Sequence, residues 1–384
     1  MIIRHARAIK TNDTGGYAWA NLRRFQNVSV VENEIIRLHE LKPHWHSNAR
    51  KQATQLRYCL TQAREYSNAA AAVSLATKPT LLYYSLMSLA LAEILFKQSG
   101  LSSLDKARAQ HRHHGLLFSH QPGPTVRGKL LVDAAAEFSA LPMIGADGRM
   151  GTFHLWHNSC REMPLVGKAT TYLGTGTTTT TSVILGSGDT PLDLIPEGGL
   201  TLLDCLLALP GMMEHLAMQN IVPGTLRGRV NVGVYSQEVP ARTVTQVTIH
   251  PGPLAAEFFG NVMFAPVAVH HVDLVELPNG GWFTVTSDAV RGGPGFSIPH
   301  GSSWTDEEVR FWPRSMPLNE FGYLYIALFI AGNYARYYPD RWLLDVETCS
   351  PLALAIEELV SIVEQRMAWL TLSELSRIYF VTAS

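Results

Sequence analysis

The chain has 384 residues, a formal net charge of −1 and a sequence pI near 7.0. A nearly neutral chain has no global field to recruit nucleic acid, and its length favours two or three domains. Charged residues make up 16% of the sequence, below the roughly 25% that is usual in soluble domains. The surface is therefore expected to be largely neutral or apolar, which favours self-association or a protein partner.

Cysteine usage and the N-terminus bear on the cellular compartment. Four cysteines lie far apart, so the sequence predicts no disulfide framework and favours a reducing environment. The first residues lack the apolar core and cleavage site of a signal peptide. The uncharged stretch at residues 321–335 is shorter than the roughly 20 residues that span a bilayer. We therefore expect a cytoplasmic protein without a membrane span.

Residues 1–120 predict an all-helical region, because apolar side chains recur every three or four residues. The predicted helices cover residues 31–41, 48–77, 80–98 and 104–120. Ser47 is the expected N-cap of the second helix. The third carries one charge, Glu93, before Lys97, so it is expected to be mostly buried. Gly115 is expected to cap the fourth.

Residues 121–300 are rich in Gly, Pro and Thr and predict an antiparallel, β-rich middle domain. Five consecutive threonines at 177–181 precede apolar residues, and β-branched side chains favour a strand there. A helical interlude is predicted at residues 200–219. Further strand candidates cover residues 227–236, 242–251 and 261–277. The Asn279-Gly280 pair after the last of these predicts a hairpin.

Residues 301–384 are predicted to be helical again. Thr305 with Glu308 forms a capping-box pattern that would open a short helix. An apolar helix over residues 319–338 is expected to end at Pro339. A last long helix is predicted at residues 351–369, with a further short helix before the terminus.

Together these elements predict an α+β fold. Its helical N-terminal and C-terminal segments pack together through their apolar helices, and the antiparallel β-rich region lies between them in sequence. The expected domains are residues 1–120, 121–300 and 301–384, with the last packing on the first.

One trio of side chains has the composition of a metal site. His154, His157 and Cys160 stand three residues apart and would share one face of a helix. Zinc would need a fourth ligand, and the spacing matches no standard zinc signature. The sequence also lacks a P-loop, a G-x-S-x-G elbow and an H-E-x-x-H motif. No metal and no cofactor are therefore predicted.

The N-terminal region resembles the HEPN helical domains. Tyr83 and Tyr84 lie in an apolar helix, and a His-rich segment that ends at Gly115 follows. Active HEPN members are metal-independent ribonucleases, and the resemblance implies Arg108 and His114 as the catalytic pair. The His would act as general acid or base and the Arg would stabilise phosphate charge. An inactive HEPN-like scaffold, without catalytic residues, is the preferred interpretation.

Two separated motifs resemble the YaaC-like proteins. The first runs from Pro79 to Tyr84 and continues at His114-Gly115-Leu116, and the second runs from Ala335 to Trp342. The structural or ligand-binding candidates in these motifs are Tyr83, Tyr84, Gly115, Arg336, Tyr337 and Trp342. An arginine at the end of a buried helix needs a partner, so Arg336 is expected to pair with a carboxylate, a carbonyl or an aromatic ring.

The YaaC-like resemblance implies a function in bacterial anti-phage defence, because the family includes the JukA-type component of an anti-jumbo-phage system. The expected protein is non-enzymatic, recognises an early infection structure and recruits a partner effector. A second defence protein and a phage-derived structure are therefore the expected partners. Self-association is also expected, whereas nucleic acid is not.

Two alternatives remain open at this point. One is a HEPN-type metal-independent ribonuclease. The other is a peripheral membrane or vesicle-binding protein, because residues 1–60 hold ten Lys/Arg against four Asp/Glu. The candidate lipid or partner surface consists of Arg4, Arg7, Lys10, Trp19, Arg23 and Arg24.

Overall fold

The structure of the chain is a computed structural model. It describes residues 3, 5–97, 113–122, 129–145, 150–160, 162–173, 176, 178–190, 195–235, 242–264, 271–277, 280–288, 296–298 and 301–383. Arg4 and Arg108, two residues of the predicted sites, lie outside the described residues. The first part of the helix predicted at residues 104–120 does so too.

The helices form most of the described N-terminal and C-terminal segments. The α-helices are α1 (Thr14–Leu22), α2 (Val28–Leu38), α3 (His46–Ala71), α4 (Lys78–Lys97), α5 (Leu131–Ala136), α6 (Thr152–Ser159), α7 (Leu202–Ala208), α8 (Met213–Met218), α9 (Ala255–Gly260), α10 (Glu320–Tyr337), α11 (Pro339–Glu347) and α12 (Pro351–Ser376). Short 3-10 helices cover Arg23–Gln26, Pro43–Trp45 and Pro210–Met212.

The strands lie mainly in the middle of the chain. They are β1 (His5–Ile9), β2 (Leu116–His120), β3 (Phe138–Pro142), β4 (Glu162–Tyr172), β5 (Thr178–Asp189), β6 (Leu200–Thr201), β7 (Leu226–Tyr235), β8 (Arg242–Ile249), β9 (Met263–Phe264), β10 (His271–Leu277), β11 (Gly280–Asp288), β12 (Phe296–Ser297), β13 (Gly301–Ser303), β14 (Val309–Phe311) and β15 (Ile378–Thr382).

Helix α4 lies at the centre of the helical core and packs on α3, α10 and α12. Its apolar side chains point in every direction, and most of them are buried. By length and composition α4 is sufficient to cross a membrane, although 72% of its most apolar window is buried inside the protein. The expected absence of a membrane span therefore stays a prediction, because α4 meets the length and composition of a span but lies mostly inside the protein. The cytoplasmic location stays a prediction.

Helix α10 confirms the predicted apolar helix of the C-terminal segment. The Asn319 side chain caps it by accepting the Gly322 N–H at 3.0 Å. Helix α11 then begins directly at Pro339, because proline is favoured in the first turn of a helix. The expected packing of this segment on the N-terminal helices is present between α10 and α4.

The middle of the chain forms an eight-stranded, mostly antiparallel sheet. Strands β10, β11, β8 and β7 follow one another, and β7 is then paired by β14 over one part of its length and by β4 over another. The β4–β7 pairing is parallel, whereas the β10–β11 pair is the predicted hairpin, with Leu277 opposite Gly280. Helix α9 covers one face, where Phe258, Phe283 and Phe311 share a small separate core.

The two ends of the described chain meet in a parallel pair, β1 with β15, in which His5 lies opposite Ile378. The short helix predicted before the terminus was wrong. Helix α12 continues to Ser376, and Arg377 ends it in the left-handed region at φ 59°. Strand β15 follows because its alternating apolar side chains are buried between α12 and the sheet.

Three other local predictions were wrong. The segment Leu116–His120 forms β2 and pairs with β3, so the first 120 residues are not all helical. The Thr305 hydroxyl accepts the Glu308 N–H at 2.9 Å, but it does so in the turn between β13 and β14, not at a helix. Helix α3 begins at His46, so Ser47 lies inside it. In the first two cases the local periodicity or capping signal was compatible with a strand or a turn as well, whereas at Ser47 only the start of the helix was misplaced.

The structure confirms the α+β fold with helical terminal segments and a mainly antiparallel middle sheet. The three-domain division stays a prediction. Helices α5 to α8 belong by sequence to the predicted middle domain, yet their buried residues share the core of the terminal helices. Among the described residues, the sheet and α9 share a separate hydrophobic core, which also includes Val309 and Phe311 of β14.

Candidate functional site

The two motifs singled out in the sequence meet where α4 crosses α10. The Thr80 hydroxyl donates a hydrogen bond to the Gly332 carbonyl at 3.2 Å. A Cβ on Gly332 would lie in ordinary van der Waals contact with the Thr80 Cα at 3.4 Å, so the two helices pack directly on each other here. The Tyr83 ring packs edge-on against Tyr325 and Phe329, at centroid distances of 5.7 and 5.6 Å. The motifs are thus parts of one contact surface.

Tyr83 positions His114 at the edge of this contact. Its hydroxyl lies 3.0 Å from His114 Nδ1, within hydrogen-bonding distance. Burial raises the pKa of Tyr83 well above its ordinary value, so the phenol stays neutral. The His114 side chain is partly exposed. Partial desolvation lowers its pKa, assisted by the charges of His113 and Arg336, so the imidazole is neutral at pH 7.

Gly115 shapes the segment that carries His114. Its φ of +85° lies in the region that favours glycine, and an added Cβ would lie 2.7 Å from His154 Nδ1 and 3.2 Å from the Gly151 backbone. The expected role as a helix cap was wrong, because Gly115 directly precedes β2. Only a residue without a side chain fits between the His114 loop and α6.

Arg336 lies on the other side of the aromatic cluster that Tyr83, Tyr84 and His114 form at this contact. Its side chain is exposed, its Nη1 donates to the Tyr84 hydroxyl at 3.2 Å, and its guanidinium lies 5.1 Å from the Tyr337 ring centroid. Tyr84 in turn stacks on Tyr66 of α3 at 5.5 Å. The aromatic partner expected for Arg336 is present. The Arg336 side chain is exposed, so its charge is not buried as the sequence predicted and does not need a neutralising partner.

Trp342 is buried and contributes to packing, not to an exposed site. Its indole is 1% exposed, donates to the Ala76 carbonyl at 2.9 Å and packs against Tyr334. The C-terminal motif therefore joins α11 to the turn before α4. Tyr337, by contrast, is 58% exposed, so it contributes to the surface of the cluster.

The candidate metal trio lies on α6 and at its end, and all three side chains are buried. His157 Nε2 lies 3.0 Å from the Pro317 carbonyl and 3.3 Å from the Thr190 hydroxyl. The Cys160 thiol contacts Glu93, and burial raises its pKa well above the ordinary value. Burial lowers the pKa of His154 to about 4. Within the described ranges, no group of three His, Cys, Asp or Glu side chains could hold a metal ion.

Sequence reasoning missed a buried ionic cluster between the helices and the sheet. The Lys97 ammonium contacts the Glu374 carboxylate and lies 3.6 Å from Glu162. Glu93 accepts hydrogen bonds from Trp156 Nε1 and the Thr371 hydroxyl, each at 2.7 Å. A void of about 40 Å³ adjoins this cluster. The only sequence signal was the isolated Glu93 in an apolar helix.

Desolvation governs the charges of this cluster. Burial raises the pKa of Glu93 against the effect of its hydrogen bonds, and it raises the pKa of Glu374 to about 7. Burial would lower the pKa of Lys97, but the neighbouring Glu374 and Glu162 carboxylates outweigh it and raise that pKa. The cluster therefore holds a firmly protonated lysine beside carboxyls that keep protons to unusually high pH. It is enclosed, which suits it to stabilising the junction.

A second ion pair crosses the same junction. Arg366 of α12 makes two hydrogen bonds to the Glu320 carboxylate of α10, at 2.8 and 2.7 Å, and Glu320 also accepts from the Ser302 hydroxyl at 2.6 Å. Both charged residues are nearly fully buried. They join the helical core to β13 of the sheet.

The candidate lipid or partner surface lies around β1, α1 and the 3-10 helix that follows it. Arg7 and Lys10 are exposed, and the charge of Arg7 contributes to a lowered pKa of Arg24, for which desolvation is the main cause. Arg23 is exposed as well. Trp19 differs from its expected role, because its indole is only 7% exposed and cannot insert into a membrane from this position.

Residues 24–122 match the model of the YaaC-like protein family. The matched range holds α2 to α4 and β2, and with them the first motif, including Tyr83, Tyr84, His114 and Gly115. The second motif, from Ala335 to Trp342, lies beyond the matched range. No curated protein and no solved structure matches the chain.

Proposed function

We propose that this chain is a non-enzymatic bacterial anti-phage defence protein of the JukA type. In this role it recognises an early infection structure and recruits a partner effector. The match of residues 24–122 to the YaaC-like family supports the resemblance on which the defence role rests. The observation that supports recruitment is the outer edge of the sheet at β10.

Strand β10 is paired on one side by β11, and among the described residues no strand pairs with its other side. An unpaired edge presents backbone N–H and C=O groups that can bind an added strand. Leu274, Val275 and Leu277 are 44, 37 and 59% exposed, so apolar side chains accompany the free backbone groups. This combination suits the docking of an extended segment from a partner protein.

The charges of β10 indicate what kind of segment would fit. Asp273 and Glu276 are exposed on this strand, and the neighbouring His271 already lies 2.9 Å from Asp273. Two carboxylates on an edge discourage pairing with a second copy of the same strand. They favour a partner strand that carries Lys or Arg.

A plaque assay tests this function. Cells carrying the protein and its partner are expected to reduce plaque formation by a nucleus-forming jumbo phage. A double variant, Val275→Lys with Leu277→Lys, should lose protection and partner co-purification, because like charge would oppose a basic strand. Met218→Lys is the matched control, since Met218 is 74% exposed on α8. Full protection by the double variant, or none by the wild-type pair, would contradict the proposal.

A metal-independent ribonuclease is the second candidate function. The observation in its favour is the exposed His114 imidazole, which Tyr83 holds at 3.0 Å and which is neutral at pH 7 beside Arg336. A neutral imidazole next to a guanidinium can act as a base toward an RNA 2′-hydroxyl while the cation holds the phosphate.

RNA cleavage in the presence of EDTA tests the ribonuclease. If the protein is a ribonuclease, His114→Ala should abolish RNA cleavage. His44→Ala, at another exposed histidine, should leave the cleavage unchanged. Arg108→Ala belongs in the same series, because the HEPN resemblance implies Arg108 as the second catalytic residue. Cleavage that persists in His114→Ala would rule this candidate out.

A further inference from the structure

A groove of about 340 Å³ lies between α1, the 3-10 helix Arg23–Gln26 and α3. It is lined by Gly16, Trp19, Ala20, Leu22, Arg23, Gln26, Leu60 and Arg64. The volume falls in the range of about 300–1,000 Å³ that is typical of small-molecule sites. The lining residues include two arginines and no carboxylate.

The floor of the groove is apolar and rigid. Trp19, Leu22 and Leu60 are buried there at 7, 2 and 1% exposure, and all three belong to the main helical core. Ala20 adds an exposed methyl group to one wall. The organic part of a ligand could pack on this floor while its charged end reaches the rim.

The rim carries the two positive charges. Arg23 and Arg64 are exposed, and neither side chain forms an ion pair or a hydrogen bond within the described part of the chain. The Arg64 guanidinium lies 5.1 Å from the Trp19 ring centroid. A cation over an indole face is held in orientation, so part of the ordering cost of binding is already met.

We propose that this groove binds a phosphomonoester. A phosphomonoester near neutral pH carries up to two negative charges and three acceptor oxygens, which match two guanidinium groups. Guanidinium groups present their donors in a planar fork suited to phosphate, whereas a lysine would act as a point charge. Gln26 adds a neutral amide at the same rim. The inference does not depend on the proposed defence function.

The phosphomonoester could belong to a soluble metabolite or to a lipid headgroup, since both present the same group. Phenyl phosphate and phenyl sulfate serve as soluble probes of similar shape and different charge. Vesicles of phosphatidylcholine with phosphatidic acid, compared with vesicles containing phosphatidylserine, serve as the lipid probe, because only phosphatidic acid is a phosphomonoester.

Calorimetric titration of the full chain should show binding of phenyl phosphate that is about tenfold or more tighter than that of phenyl sulfate, because the second charge adds to each charge-assisted hydrogen bond. Arg23→Gln and Arg64→Gln should each weaken it by about tenfold or more. Arg57→Gln, on α3 but outside the groove, should bind as the wild type does. Circular dichroism of each variant checks that it is folded.

Vesicle flotation identifies the source of the group. Arginine-dependent binding to phosphatidic acid vesicles without binding to phenyl phosphate assigns a lipid headgroup, and the reverse assigns a soluble ligand. The proposal is overturned by equal flotation with phosphatidylserine in the absence of phenyl phosphate binding. It is also overturned if neither probe binds, or if the folded Arg23 and Arg64 variants bind as tightly as the wild type.

Discussion

Glu320 and Arg366 form a two-pronged ion pair inside the protein, with N···O distances of 2.8 and 2.7 Å. The pair joins α10 to α12, and the Ser302 hydroxyl extends it to β13. Burial of two charges is costly, and hydrogen bonds to both partners are needed to offset the loss of hydration. The ion pair and the serine thus link the helical core directly to the sheet.

Removing one partner of this ion pair should be strongly destabilising. Arg366→Met leaves the Glu320 carboxylate buried without its cation, and the free energy of unfolding should fall by about 3–5 kcal/mol. The double variant Glu320→Gln with Arg366→Met should lose less than the sum of the two single changes. Urea unfolding of the two single variants and the double variant measures these losses. Additive losses would show that the two side chains act independently.

The buried Glu374 carboxyl should make stability depend on pH. Burial raises its pKa from about 4.5 to about 7, so the folded state binds more protons than the unfolded state between these values. The Glu374 carboxyl therefore contributes fully to the free energy of unfolding below pH 4.5, and this contribution is lost as the pH rises through 7. It amounts to about 3 kcal/mol, since one pKa unit corresponds to about 1.4 kcal/mol.

The Glu374→Gln variant isolates this effect. Lys97, Glu93 and Glu162 surround the carboxyl in both proteins, so the informative quantity is the difference between the two stability curves. Wild-type stability should fall relative to the variant from pH 4.5 to 7, as followed by thermal unfolding. A constant difference over this range would contradict the raised pKa of Glu374.

A methyl group at Gly115 should destabilise the loop before β2. Gly115→Ala combines a left-handed backbone with a Cβ only 2.7 Å from His154 Nδ1. The backbone conformation alone costs about 1–2 kcal/mol for a non-glycine residue. The matched control is Gly176→Ala, because Gly176 has a similar φ of +77° but nothing within 4 Å of its Cβ. In urea unfolding, Gly115→Ala should lower the free energy of unfolding clearly more than Gly176→Ala does.

The pKa of His114 should respond to Arg336. Desolvation and the charges of His113 and Arg336 hold it below the ordinary value of 6.5. Arg336→Gln should therefore raise the pKa of His114, as measured by NMR titration of the imidazole. Arg341→Gln is the matched control, because the charge of Arg341 acts on His120 instead. If Arg341→Gln changed the pKa of His114 and Arg336→Gln did not, Arg341 and not Arg336 would be the arginine near His114, which contradicts the structure.

Long periodic segments were predictable because their signal is local. The uncharged faces of α4 and α10 predicted buried helices, and the Asn279-Gly280 pair predicted the β10–β11 hairpin. Short segments were harder. Leu116–His120 continues the helical periodicity before it, yet it becomes β2 because β3 provides a pairing edge.

The sequence by itself determined the α+β class, the apolar helices and the two motifs, since helix burial and hairpin formation depend on residues close together in the chain. The tertiary structure decided which side chains meet. It placed Arg336 on Tyr84 and Arg366 on Glu320, at separations of 252 and 46 residues. Pairings over such distances in the chain depend on how helices pack, and no local pattern of residues specifies that packing.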